Sequence, residues 1–152
     1  TTLVAALPYE VTADSSRSTT PSSPSRGASS ARQQMANYAL NFIGTPYVWG
    51  GNDMKNGVDC SGFVKNLYGA IGLSLPRTAR EQVNFGQAVT RLEDLQPGDR
   101  LYFWSKKHKR IGHTGIYLGK GYFVHSSVSN KGVATDYLGK RTWLNTLVAA
   151  RR

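Results

Sequence analysis

Upstream of Leu95-Gln96-Pro97-Gly98-Asp99 the apolar residues recur at three- and four-residue spacing, and downstream of it they alternate. This change of period constrains the fold more than any other feature. Three-to-four spacing lays a stripe along a helix, whereas alternation turns one face of a strand toward a core. Before the switch, Met35, Tyr38, Ala39, Phe42 and Ile43 mark an amphipathic helix that Gly44 stops. Phe63, Val64, Leu67, Tyr68 and Ile71 mark a second helix. Leu75-Pro76-Arg77-Thr78 opens a short third one, with Thr78 as cap and Glu81 completing a capping box. After the switch, residues 101–104, 111–118, 122–126 and 133–136 read as strands punctuated by Gly112, Gly119, Gly121 and Gly132. A short helical segment around 138–145 and a strand at 146–150 close the domain. Helices precede strands without βαβ alternation, so the class is α+β, with N-terminal helices packed on an antiparallel sheet.

The domain is expected to run from Ala31 to residue 152. Residues 14–30 are mostly Ser, Thr, Pro, Arg and Gly and hold no bulky apolar side chain. Such a composition cannot bury enough surface to offset its ordering entropy, so 1–30 reads as a disordered tail ending in a tether. Residues 1–13 contain the run Leu3-Val4-Ala5-Ala6-Leu7 and end in Val11-Thr12-Ala13, which resembles the end of a secretory leader. Glu10 counts against that reading, and a loose tail is the alternative. No run of about 18 apolar residues exists, so no transmembrane segment is expected.

The net charge of +10 points to a polyanionic partner: nucleic acid, anionic lipid or an acidic cell-wall polymer. No paired Cys/His ligands, aromatic RNA-binding strand or basic zipper is present, so nucleic acid is not expected. The basic run Lys106-Lys107-His108-Lys109-Arg110 reads as a solvated hairpin loop, with binding to the wall polymer as its alternative.

The chain's one cysteine, Cys60, permits no internal disulfide and stands beside a cap, outside the apolar stripe. Asp59 is a good N-cap, which places Cys60 in the first turn of the second helix, where the dipole favours a thiolate. His113 and His125 fall on successive strands joined by Gly119-Lys120-Gly121, a hairpin that can set two imidazoles on one sheet face. A helix start packed on that face would complete a thiol nucleophile, a base and a group that orients the base. The rival uses are a metal site, weakened by the absence of local ligand spacing, or two structural histidines.

Six segments occur in order: Gly44-x-Pro46-Tyr47-x-Trp49-Gly50-Gly51, Asp59-Cys60-Ser61-Gly62-Phe63-Val64, Leu75-Pro76-Arg77-Thr78 with Gln82, Leu95-x-Pro97-Gly98-Asp99, His113-x-Gly115-Ile116-Tyr117-Leu118-Gly119 and Phe123-Val124-His125. Together they resemble the NlpC/p60 family of bacterial cell-wall cysteine peptidases from about residue 32 onward. The resemblance implies a papain-like core, a secreted or periplasmic location and peptidoglycan endopeptidase activity, with murein stem peptides or their cross-links as substrate and no cofactor or metal. It implies Cys60 as nucleophile, His113 as general base and acid, and His125 as the group that orients His113. Tyr47 stands near the nucleophile and the oxyanion, and Asp59, Ser61, Arg77 and Trp49 fall where substrate is bound; for Asp59 capping alone is the alternative. A monomer is expected. Thr114 departs from the usual apolar residue after the first histidine, and Ser126 from a common alanine. A non-catalytic wall-binding module and an acyltransferase using the same residues are the alternatives, and the bond cut, within a stem (D,L) or between stems (D,D), stays open.

Overall fold

The computed structural model describes residues 26–152, so the leader-like stretch and most of the tether lie outside the described residues. Helix α1, Arg26–Ala39, starts ahead of the boundary expected at Ala31. Gly27, Ala28, Ser29 and Ser30 offer no apolar stripe for a period to reveal. Met35, Ala36 and Ala39 nevertheless anchor the helix in the core, and extension from a packed turn is easy for residues such as Arg and Ala. A 3-10 turn, Leu40–Phe42, follows, and Gly44 at φ 97° turns the chain.

Strands β1, Asn52–Asp53, and β2, Gly57–Val58, form a small antiparallel pair ahead of helix α2, Cys60–Ala70. The stripe read from the sequence is the face that α2 buries: Phe63, Val64, Leu67 and Tyr68 are at most 2% exposed. They pack against Met35, Ala36 and Ala39 of α1 and against Ile116, Val124 and Val133 of the sheet. Each such side chain stabilises the fold by roughly 1.5–3 kcal/mol. Helix α3, Ala79–Gln82, begins at Thr78 as expected, whose hydroxyl oxygen accepts from the Glu81 amide. The capping box is altered, however, because the same hydroxyl donates to Glu81 Oε1 at 2.7 Å.

The strands are β3, Arg100–Ser105; β4, Arg110–Gly119; β5, Tyr122–Ser127; β6, Gly132–Tyr137; and β7, Leu147–Arg151, with a short helix α4, Arg141–Leu144, before the last. They form one antiparallel sheet in the order β6-β5-β4-β3-β7, so the class is α+β as read from the period change. A second cluster, Leu101, Phe103, Phe123, Leu138, Leu147 and Ala150, has Trp143 of α4 packed against it. No described helix is long and apolar enough to cross a membrane.

Two groups of charged residues are buried in ways that alternation could not reveal. Arg100 and Arg151 are each 1% exposed and donate to the carbonyls of Gln82, Phe85 and Val83, closing the end of α3. Asp99 is fully buried; it accepts from the Gln96 amide at 2.8 Å and from Arg152 Nε and Nη2 at 2.9 Å. The turn before β3 is thereby tied to the end of the chain. Asp99→Ala leaves that arginine without its buried counter-charge and should cost about 3 kcal/mol in chemical denaturation. A loss under about 1 kcal/mol would mean that water replaces the carboxylate freely.

Candidate active site

Cys60 is placed by the residues on either side of it. Asp59 is the N-cap: its backbone is extended, and its carboxylate accepts from the Gly62 amide at 2.8 Å. The preceding loop is stitched to the body, since the Tyr47 amide donates to the Lys131 carbonyl at 3.2 Å and the Val58 amide to the Pro46 carbonyl at 3.0 Å. Those bonds hold Tyr47 within electrostatic reach of Cys60, Asp59 and Arg77. Gly62 has no room for a side chain, because an added Cβ would stand 2.6 Å from the Gly51 carbonyl oxygen and 2.9 Å from Asp59 Oδ1. Arg77 lies along this edge: Nη1 is 3.0 Å from Asp59 Oδ1 and donates to Ser61 Oγ at 2.9 Å, and Nη2 donates to the Gly51 carbonyl at 2.9 Å. Asp59, Ser61 and Arg77 therefore form one cross-linked cluster around the start of α2. Trp49 is separate from it in character, standing 83% exposed on the loop beyond Tyr47.

The backbone amides of Thr114 and Ser61 lie close enough to the Cys60 sulfur to favour its thiolate form. The thiol thus rests against the peptide that joins His113 to Thr114. Across the β4–β5 hairpin, His113 Nε2 lies 2.6 Å from His125 Nδ1. Gly115 makes this closeness possible, since a Cβ there would come within 3.0 Å of the His125 Cβ. His125 is fully buried, and its Nε2 is 2.8 Å from Asp136 Oδ2. Asp136 belongs to β6, where Ala134 is the direct partner of His125; two residues on, Asp136 is its diagonal neighbour on the same face. The Asn130 side-chain amide donates to Asp136 Oδ2 at 2.9 Å and Lys140 Nζ to Oδ1 at 3.1 Å. Aromatic rings enclose the imidazoles: Trp143 stacks on His113 at 5.6 Å, and Phe123 lies 4.5 Å from His125. His108, by contrast, sits exposed on the β3–β4 hairpin. Among the described residues, no group of three or more His, Cys, Asp or Glu is arranged to hold a metal ion.

This packing decides the resting protonation. Burial pushes the Cys60 thiol up to about 11, and the charge of Asp59 adds to it against the amide hydrogen bonds. Burial, with a smaller contribution from His125, pushes His113 down to about 3, opposed by the charge of Asp136. Burial likewise lowers His125 against the hydrogen bond and charge of Asp136. Tyr47 is raised to about 12 by burial and by the nearby Cys60 and Asp59, so its phenol stays a donor. The expectation of a thiolate favoured by the helix dipole is therefore corrected. Desolvation favours a neutral thiol and a neutral imidazole in the free protein, against the pull of the helix start. Alkylation of Cys60 by iodoacetamide should accordingly be slow at neutral pH and rise through a midpoint above that of free cysteine, about 8.5. A midpoint below free cysteine would show a preformed thiolate–imidazolium pair.

The family model for NlpC/P60 matches residues 44–152, a span that holds Tyr47, Cys60, Arg77, His113, His125 and Asp136. The chain belongs to the NlpC/P60 family. Among relatives, it is 38% identical to the gamma-D-glutamyl-L-lysine dipeptidyl-peptidase of Bacillus subtilis over 73% of this chain and 37% of that protein. It is 37% identical to the probable endopeptidase YafL of Escherichia coli over 72% of this chain and 45% of that protein. The crystal structure of the NlpC/p60 domain of the peptidoglycan hydrolase SagA superposes with a TM-score of 0.66 at 29% identity, covering 84% of this chain and 99% of that one. The chain thus spans less than half the length of the two curated relatives. Within this NlpC/P60 domain the sequence reading missed Asp136, Asn130, Lys140 and Trp143. A carboxylate alternating on a strand after the second histidine was the available signal, but the 128–131 turn leaves the β5–β6 register open until the fold is known.

Proposed function

We propose that this domain is a cysteine endopeptidase acting on the peptides of peptidoglycan in the bacterial cell envelope, outside the cytoplasm. The observation that carries the reading is a lone thiol at a helix start, held against the peptide of His113, whose imidazole heads a hydrogen-bonded line to His125 and Asp136. The names of the relatives, an endopeptidase and a dipeptidyl-peptidase, support the same class of reaction.

In the proposed cycle His113 takes the thiol proton as the sulfur attacks the scissile carbonyl carbon. The oxyanion is held by backbone amides at the start of α2 and by the Tyr47 hydroxyl, a donor at every working pH. The imidazolium gives its proton to the departing amine as the C–N bond breaks, leaving a thioester. Water, deprotonated by the same imidazole, adds to the thioester; the C–S bond breaks, and the proton returns to sulfur. The imidazolium is transient, and the negative charge of Asp136 favours it from two links away. Asp59, Ser61 and Arg77 line the approach as a pre-tied polar edge, and exposed Trp49 supplies an apolar lip.

Digestion of defined muropeptides with the purified protein, read by mass spectrometry, tests the reading and distinguishes cleavage within a stem from cleavage of a cross-link. If no muropeptide changes mass, the peptidase reading falls. One observation favours a second role: residues 106–110 are all exposed and basic on the β3–β4 hairpin, in a chain of net charge +10. That surface suits an anionic wall polymer, and retention on isolated cell walls that weakens as salt rises, with no cleavage, would favour a wall-binding module.

A further inference from the structure

Beyond the charge that it lends to the imidazolium, Asp136 has two dedicated partners of its own, Asn130 and Lys140, and the peptidase reading uses neither. We propose that Asp136, held by Asn130 and Lys140, is a positioning residue that locks both imidazoles into one tautomer and so leaves His113 Nδ1 bare to accept the thiol proton. The proposal rests on the reading of Cys60 and His113 as nucleophile and base.

A carboxylate only accepts, so the 2.8 Å contact of Asp136 Oδ2 with His125 Nε2 requires the proton to be on Nε2. Burial pushes Asp136 up, but hydrogen bonds from Asn130, His125 and Lys140 outweigh it and hold the carboxyl below its ordinary value. The group is therefore charged at neutral pH. His125 is buried and neutral, so a proton on Nε2 leaves Nδ1 with a lone pair. That lone pair faces His113 Nε2 at 2.6 Å, a distance that requires one proton between the two nitrogens. His113 must supply it. Its own proton is then on Nε2, and its Nδ1 is free. Asn130 and Lys140 hold the carboxylate in this position, the Asn130 side-chain amide donating to Oδ2 at 2.9 Å and Lys140 Nζ to Oδ1 at 3.1 Å.

Without the carboxylate, His125 is free to carry its proton on Nδ1. It then donates to His113 Nε2, moves the His113 proton to Nδ1 and so occupies the lone pair that the peptidase reading assigns to the thiol proton. Turnover falls while substrate contacts remain. Partners that orient a functional histidine typically contribute about 10–100-fold, and the loss here should lie in kcat, with KM changed less than about twofold.

The test reads the ring nitrogens directly. In the ¹⁵N-histidine-labelled 152-residue chain at neutral pH, long-range ¹H–¹⁵N spectra distinguish protonated from bare ring nitrogens. The three histidines of the sequence make assignment straightforward, with exposed His108 as the reference. Wild type should show Nε2–H and bare Nδ1 on both His113 and His125. Asp136→Ala should mix the tautomers of both rings, and Asp136→Glu should restore them in part. Asp136→Asn keeps the size of the side chain but can turn either an oxygen or a nitrogen to His125; it should also mix them, and it replaces the alanine variant if that one does not fold. A wild-type His125 carrying its proton on Nδ1, or tautomers unchanged in both variants, would overturn the proposal. No substrate is present, so unchanged muropeptides would sink the peptidase reading while the tautomer result stood on its own.

Discussion

Cys60→Ala should lower kcat/KM on any cleaved muropeptide by on the order of 10⁴–10⁶-fold, the range for removal of a protease nucleophile. The reason is structural as well as chemical. The amides of Thr114 and Ser61 favour the thiolate form of this sulfur, and no other thiol exists in the chain to take its place. The substitution removes one atom from a partly exposed first-turn residue, so the melting point should move little. Intact-mass measurement after rapid quench should detect a peptidyl adduct in wild type and none in the variant. Retained turnover within about tenfold of wild type would remove Cys60 from the chemistry and leave it a structural residue of the first turn.

His113→Ala should follow at roughly 10²–10⁴-fold, since general acid–base help is lost along with the group that would receive the thiol proton. His125→Gln should be milder and keep measurable turnover. A glutamine amide oxygen can accept from His113 Nε2 as His125 Nδ1 does at 2.6 Å, so the base keeps its orientation. Equal losses in the two variants would mean that His125 transfers protons itself. Stacking of His113 on Trp143 and its contact with Phe103 make the alanine variant liable to a packing loss as well. Steady-state rates should therefore be compared at a temperature where thermal unfolding shows both variants folded.

These expectations join features of two kinds. The helix-before-strand order was legible because the apolar period itself changes at Leu95–Asp99, and period is a property of the chain alone. The same holds for the buried stripe Phe63, Val64, Leu67 and Tyr68, for Asp59 as the cap that sets Cys60 in a first turn, and for the Gly119-Lys120-Gly121 hairpin that carries His113 and His125 to neighbouring strands. Each depends on residues a few positions apart, where spacing dictates geometry. Tertiary structure decided what depends on proximity across the fold. Asp136 reaches His125 only through the β5–β6 register, and a shift by one residue would have turned its carboxylate to the opposite face. Arg77 joins Asp59, Ser61 and Gly51 from a separate segment, and Arg100, buried at a strand start, holds the carbonyls at the end of α3. The sign of the Cys60 shift was decided the same way. A helix N-terminus favours the thiolate locally, but desolvation is set by everything packed around the sulfur, and here it is the larger effect.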